Sequence, residues 1–305
     1  MSLAFDASRL SPPSLSGLST RFKVSDGLPM LTLSAALLAL PLAACNGTNG
    51  ILLVRHDGAA GMPAEADNPY VPAANVRWLA QLDGAIDVQQ DAQLFYLDAE
   101  QQSPEALATL RAEGRHYLCY LSAGSLEAFR QDTQDFPDSA IGNALTEFPG
   151  ERWLDVRDET VRELMAKRVT ALGAVGCDGV PPSSLAVQAA DTGFDLTLAD
   201  AVDYARWLAE RIHAAGMSAG LTGPTQLTSE LWSTFDFGLA LGCVSSTGCA
   251  EYAPFERANK SVLHLEIGEA AAAPRLCNAA KALGFDALVS DAGFTGKCIA
   301  CSDLP

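Results

Sequence analysis

From Trp78 to Asp291 the chain repeats one rhythm. Short apolar runs of four to six residues fall at 78–82, 94–98, 117–121, 176–180, 218–221, 237–241, 262–267 and 287–291. Each is too short for a helix and is followed by Gly, Ser, Asp or Pro, as expected of strands buried on both faces. Helical patterns with good end signals separate most of them. Ser103-Pro104-Glu105 predicts a capped start with proline at the first helical position, and Gly114 a stop. Asp158 caps a second pattern, with Val161, Leu164, Met165, Val169 and Leu172 on one face. Thr197 and Asp200 resemble a capping box, Val202, Ala205, Leu208 and Ile212 follow at helical spacing, and Gly216 ends the run.

Eight strands alternating with helices predict an α/β fold, a single (β/α)₈ TIM-barrel-like domain over residues 76–305. The rival is an open doubly wound sheet. It wants a glycine-rich phosphate turn after its first strand, and no such motif is present.

The N-terminus reads as an address. Residues 30–44 (MLTLSAALLALPLAA) are apolar and lead into Leu42-Ala43-Ala44-Cys45. Fifteen residues fall short of a membrane-spanning helix but suit the apolar region of a signal peptide. Small residues before a cysteine match the bacterial lipoprotein box, which makes 1–44 a leader and Cys45 the lipidated mature N-terminus. Residues 45–75, with their Gly, Pro, Asn and Ala, read as a tether. Cleavage removes three basic and two acidic residues, so the net charge moves from −17 to −18.

That charge and the absence of a basic stripe exclude duplex nucleic acid as a partner. The expected membrane contact is through the lipid alone, in the bacterial cell envelope. Export also predicts that cysteines are bridged. Beyond Cys45 there are seven, namely Cys119, Cys177, Cys243, Cys249, Cys277, Cys298 and Cys301, so one is left over. Cys298 and Cys301 read as a structural bridge rather than as a redox or zinc pair. Cys119 and Cys177 lie on neighbouring candidate strands and are candidates for pairing. The four histidines are scattered, at 56, 116, 213 and 264, and read as structural; no metal and no cofactor are expected.

In a barrel the site forms at the C-terminal ends of the strands. The polar residues read as lying there are Asp98, Ser122, Ser125, Asp178, Glu266 and Asp291. Four acids on four strand ends point to carboxylate chemistry, and glycosidases set two acids across the bond they cleave.

Longer strings sharpen this. Tyr120-Leu121-Ser122-Ala123-Gly124-Ser125-Leu126-Glu127, Phe136-Pro137, Ile141-Gly142 and Pro149-Gly150-Glu151-Arg152-Trp153-Leu154-Asp155-Val156-Arg157 resemble glycoside hydrolase family 114. So do Gly176-Cys177-Asp178-Gly179-Val180, Thr192-Gly193-Phe194, and Phe235-Asp236 leading to Cys243 and Cys249. The resemblance implies an exported barrel of the endo-α-1,4-polygalactosaminidase type, an aminosugar polysaccharide as partner, and a Cys243–Cys249 bridge. Asp178 is then one of the acids implied to be catalytic, with Asp98, Ser122, Glu266 and Asp291 contacting substrate.

The departures fall at the implied site. Where the family continues with Glu-Pro-Asp-Asn, this chain has Pro181-Pro182-Ser183-Ser184, and where it carries Asn-Glu-Gln-Cys, the run is Ala240-Leu241-Gly242-Cys243. The implied catalytic Glu is therefore Leu241. A Lys-Asn pair becomes Thr222-Gly223, and of two aspartates around the second strand one is Tyr96 and the other Asp98. Two readings follow: a sugar-binding barrel impaired in hydrolysis, or an active glycosidase using Asp98, Asp178, Glu266 and Asp291.

Overall fold

The computed structural model describes residues 69–148, 150–223 and 226–304. Eight parallel strands run side by side in sequence order: β1 (Trp78–Gln81), β2 (Leu94–Leu97), β3 (His116–Cys119), β4 (Gly179–Val180), β5 (Ser218–Thr222), β6 (Phe237–Leu241), β7 (Val262–Ile267) and β8 (Ala287–Ser290). They coincide with the eight apolar runs. A ninth strand, β9 (Cys298–Ala300), returns antiparallel to β8. The turn before it bridges back to β1, where Gln81 pairs with Thr295 and the amides of Leu82 and Asp83 donate to the Phe294 carbonyl. The barrel is thus nearly closed, with an antiparallel return at its seam.

Alternate strand positions fill the interior. Trp78, Ala80, Leu94, Tyr96, Leu118, Phe237, Leu239, Leu263, Leu265 and Leu288 form one inner cluster, while the intervening residues pack against the outer layer. Gly179 is the tightest of the barrel-strand glycines, because a Cβ there would come within 2.3 Å of Ser218 Oγ. The outer layer holds α1 (Pro104–Ala112), α2 (Glu159–Ala174), α3 (Leu198–Ala214), α4 (Thr228–Leu231), α5 (Cys243–Ser246), α6 (Ala253–Arg257) and α7 (Ala273–Ala282). It is uneven: no helix joins β1 to β2, and α4, α5 and α6 are a turn or so each. Ser103, Asp158 and the Thr197–Asp200 box cap α1, α2 and α3 as their sequences predict.

Between β3 and α2 lies a feature the apolar rhythm does not announce. Ser125–Glu127, Glu151–Leu154 and Ile141–Ala144 form a three-stranded antiparallel flap. Its strands are three or four residues long, the first buried and the other two partly exposed.

Cys243 bridges Cys249 with Cα atoms 4.7 Å apart, and Cys119 on β3 bridges Cys177 just before β4. A third bridge joins Cys277 of α7 to Cys301, so Cys301 does not pair with Cys298 as its spacing suggested, and Cys298 is free among the described cysteines. Residues 1–68, including the expected leader and Cys45, lie outside the described residues. The last part of the expected tether, 69–75, is not extended away from the body. Tyr70 stacks on His116 with ring centroids 3.6 Å apart.

At the base of the barrel one arrangement occurs twice. Asp178, just before β4, accepts the Tyr117 amide from β3 at 2.9 Å and stands 3.3 Å from His116 Nδ1. Asp236, just before β6, accepts the Ala219 amide from β5 at 2.8 Å and the His213 ring at 2.8 Å. Each carboxylate satisfies the second amide of a neighbouring strand, below the start of the next one. Replacing Asp178 by Ala should therefore cost about 1–3 kcal/mol by orphaning the Tyr117 amide, and lower Tm by several degrees. Calorimetric unfolding of Asp178→Ala beside the native protein checks this, and an unchanged Tm would contradict it.

Candidate functional site

The expected site residues separate into three groups. Asp178 belongs to the base, at the opposite end of the barrel from the catalytic position implied for it. The apolar run 176–180 reads as one strand, but the strand itself is Gly179–Val180, which leaves Asp178 before its start rather than at its end. Glu266 is on the upper half but faces outward. Leu263 and Leu265 point into the barrel, so Glu266 lies on the other face. It is fully buried, with Oε1 accepting the Val244 amide at 2.8 Å and Oε2 the Ser245 amide and hydroxyl at 3.1 and 2.6 Å. It holds the first turn of α5 instead of reaching substrate. Asp291 closes the turn before β9, accepting the Thr295 amide and hydroxyl at 3.0 and 3.1 Å.

Asp98 and Ser122 remain at the barrel mouth, and the flap brings further groups to them. Asp98 ends β2 facing inward and is buried. Its carboxylate meets the Arg130 guanidinium at 3.0 and 3.1 Å and also takes hydrogen bonds from the Glu100 amide and Gln101. Arg130 donates as well to Glu127 at 2.7 Å and Glu100 at 3.2 Å. Asp98, Glu127 and Arg130 are all more than nine-tenths buried. Buried charges of this kind persist because each is matched; deleting one partner of such a pair costs roughly 3–5 kcal/mol. Asp98 is thus saturated by protein.

Ser122 starts a second network. Its Oγ lies 2.5 Å from Ser125 Oγ, which donates to Glu151 Oε2 at 2.5 Å and reaches Ser184 Oγ at 3.3 Å. Burial pushes the ionisation of the Tyr120 hydroxyl well above the ordinary tyrosine range, Glu127 and Glu151 push it further, and the nearby Ser183 and Ser122 pull it back. Ser184 adopts a left-handed backbone, φ 60°, which is costly for a residue with a side chain. Its carbonyl presses on Gly124, where an added Cβ would sit 1.8 Å away. Glycine is required there for the β3 and β4 loops to meet.

Glu151 is the acid that inspection of strand ends misses. In the flap register Glu127 and Glu151 are directly opposite each other. Side chains so placed stand on one face, and like charges there repel. Burial raises the Glu151 carboxyl above the ordinary carboxylate range; Ser125 pulls it back, Glu127 pushes it further up, and Arg130 opposes that push. The signal was within reach, since Tyr120, Glu127 and Glu151 all sit in the family-like strings. Only the pairing of the flap brings the two glutamates together.

A groove of about 500 Å³ opens beside these networks, within the usual range for small-molecule sites. Asp98, Tyr120, Ser122 and Glu127 form one wall and Leu164, Lys167 and Arg168 of α2 another. The upper ends of β4, β5 and β6 carry Pro181, Ser183, Thr222 and Leu241, and none of these titrates in the carboxylate range. Among the described residues, Thr222 Oγ1 is buried without a hydrogen-bond partner. Cys243, Cys249 and His264 converge in the outer layer, but both thiols are consumed by their bridge. His264 is buried and held neutral, its pKa lowered to about 4 by desolvation.

The model of glycoside-hydrolase family GH114 matches residues 59–304, and the chain belongs to that family. Ega3 of Aspergillus fumigatus, solved in complex with galactosamine, is 29% identical with a TM-score of 0.71, over 77% of this chain and 98% of that one. The glycoside hydrolase domain of PelA from Pseudomonas aeruginosa shares the fold at 11% identity, TM-score 0.58, over 73% and 98% of the two chains. No curated protein matches the chain.

The raised Glu151 fixes a stability signature. A carboxyl whose pKa is higher folded than unfolded supports the fold at low pH, and that support is lost as pH rises through the folded value. Relative to Glu151→Gln, the native protein should lose Tm steadily as pH climbs above ~4, the ordinary glutamate value. Thermal melts of both proteins across pH read this directly, and parallel curves would remove Glu151 from the account.

Proposed function

We propose that this protein is an exported, lipid-anchored barrel of the bacterial envelope that holds an aminosugar polysaccharide without cutting it. The observation that carries the reading is the composition of the mouth. Glycoside cleavage by two carboxyls needs one to donate a proton and another to act as base or nucleophile. At the ends of β4 and β6 this chain offers Ser183 and Leu241. Asp98 is neutralised by Arg130, Glu266 caps α5, and Asp178 is at the base. Loss of one acid or base alone removes roughly 10²–10⁴ in rate.

Several features favour retained binding. The serine and tyrosine hydroxyls at the ends of β3 and β4, together with the unpartnered Thr222 hydroxyl, are suited to sugar hydroxyls. Ega3, a relative over most of this chain, was solved with galactosamine. A net charge of −17 attracts a partly deacetylated, cationic polymer. The lipid anchor rests on the sequence before Cys45. Mass spectrometry of the native protein should find a diacylglyceryl-modified Cys45 at its N-terminus, and an unmodified residue preceding Cys45 would contradict it.

The elevated Glu151 favours a second reading, in which this single acid sustains slow hydrolysis. Reducing-end assays on galactosaminogalactan and a panel of other glycans separate the two. We expect binding without shortening of the polymer, and little gain from Leu241→Glu, since Pro181, Ser183 and Ser184 have also replaced the polar groups around the site. Robust turnover by the native protein, abolished by Glu151→Gln, would establish the second reading.

A further inference from the structure

Phe129 follows the first flap strand and is 67% exposed, yet its ring is not loose. The Arg130 guanidinium lies over it, 4.8 Å from the ring centroid, and the same guanidinium stands 5.9 Å from the Tyr120 ring. Arg130 is itself fixed by Asp98, Glu127 and Glu100. A buried cation thus occupies one side of the phenyl ring, and that cation itself lines the groove. Facing it across the flap, the Ala128 amide donates to the Gly150 carbonyl. Two residues before Gly150 is a second exposed phenylalanine, Phe148.

Single exposed apolar residues need no explanation. A ring pinned by a saturated ion-pair network is a different matter, and Phe148 lies in the segment paired with this one, its carbonyl accepting the Glu151 amide at 2.8 Å. Anchoring lowers the entropy lost when a ligand lands on the ring. The ring face is electronegative and attracts both polarised C–H groups and ammonium groups. Pyranose rings present such C–H faces, and a 2-amino sugar adds the cation, which Glu100 and Glu151 complement.

We infer that Phe129 is a stacking platform that seats a pyranose unit of an aminosugar polymer beside the groove that Arg130 lines, with Phe148 as a secondary contact. Asp98 and Glu127 act as positioning residues through Arg130. This rests on the sugar-binding reading above, and extends it from the mouth onto the flap.

The test titrates partly deacetylated α-1,4-galactosamine oligomers against native protein, Phe129→Ala, Phe129→Trp and Phe148→Ala, with circular dichroism to check folding. Phe129→Ala should weaken binding roughly five- to tenfold, in line with an aromatic contact of about 1 kcal/mol. Phe129→Trp should retain or tighten it, and Phe148→Ala should give a smaller loss. Native binding with unchanged affinity in a folded Phe129→Ala overturns the platform while leaving the sugar-binding reading intact. Absence of binding by the native protein overturns that reading itself. A shift of oligomeric state in Phe129→Ala without a change in affinity would make the patch a contact between copies, and also overturns the platform.

Discussion

The upper half of the molecule depends on one buried guanidinium. Arg130 belongs to the flap, Asp98 to the end of β2 and Glu127 to the first flap strand, and the three are closed from water. Lifting the flap would leave two carboxylates and a cation desolvated and unpaired, so the ion pairs lock it onto the barrel. Everything distinctive at the mouth follows from that lock. It sets the register that places Glu151 opposite Glu127. It lowers Ser125 onto Ser122 and Ser184, and it fixes the face of Phe129.

The conversion of the mouth is local. The eight strands, their order and the Asp–His pairs at the base are those of a sound barrel, and the family match spans nearly the whole described chain. What differs is the chemistry at the strand ends. Hydroxyls and apolar groups stand where the family resemblance implies carboxylates. The polar groups that remain are gathered at β2, β3 and the flap, where most are spent on one another. Glu151 is the exception, a half-buried acid bonded through Ser125 to a chain of hydroxyls and not to a cation.

Most of the scaffold was legible in the sequence, and the reasons are physical. Buried parallel strands read as unbroken apolar runs, and Ser103, Asp158 and Thr197 are capping residues whose side chains satisfy helix amides. The site was less legible because it turns on parity and on long-range pairing. Glu266 and Ile267 are adjacent at the end of β7, and only the inward packing of Leu263 and Leu265 decides which one faces the mouth. Asp178 required knowing where within 176–180 the strand begins. The flap strands are too short to carry a periodic signal, so Glu127, Arg130 and Glu151 could be read as separate residues but not as one assembly. The pairing of Cys277 with Cys301 was likewise a matter of fold, since spacing alone leaves seven cysteines several partners.

The most direct measurement is a crystal structure of the native protein soaked with a defined galactosamine oligomer. The oligomer should be intact, with one pyranose lying flat against Phe129, the neighbouring unit hydrogen-bonded to Tyr120, Ser183 or Glu151, and Leu241 in plain van der Waals contact. A shortened product at the mouth, or an oligomer bound away from the flap altogether, would contradict it.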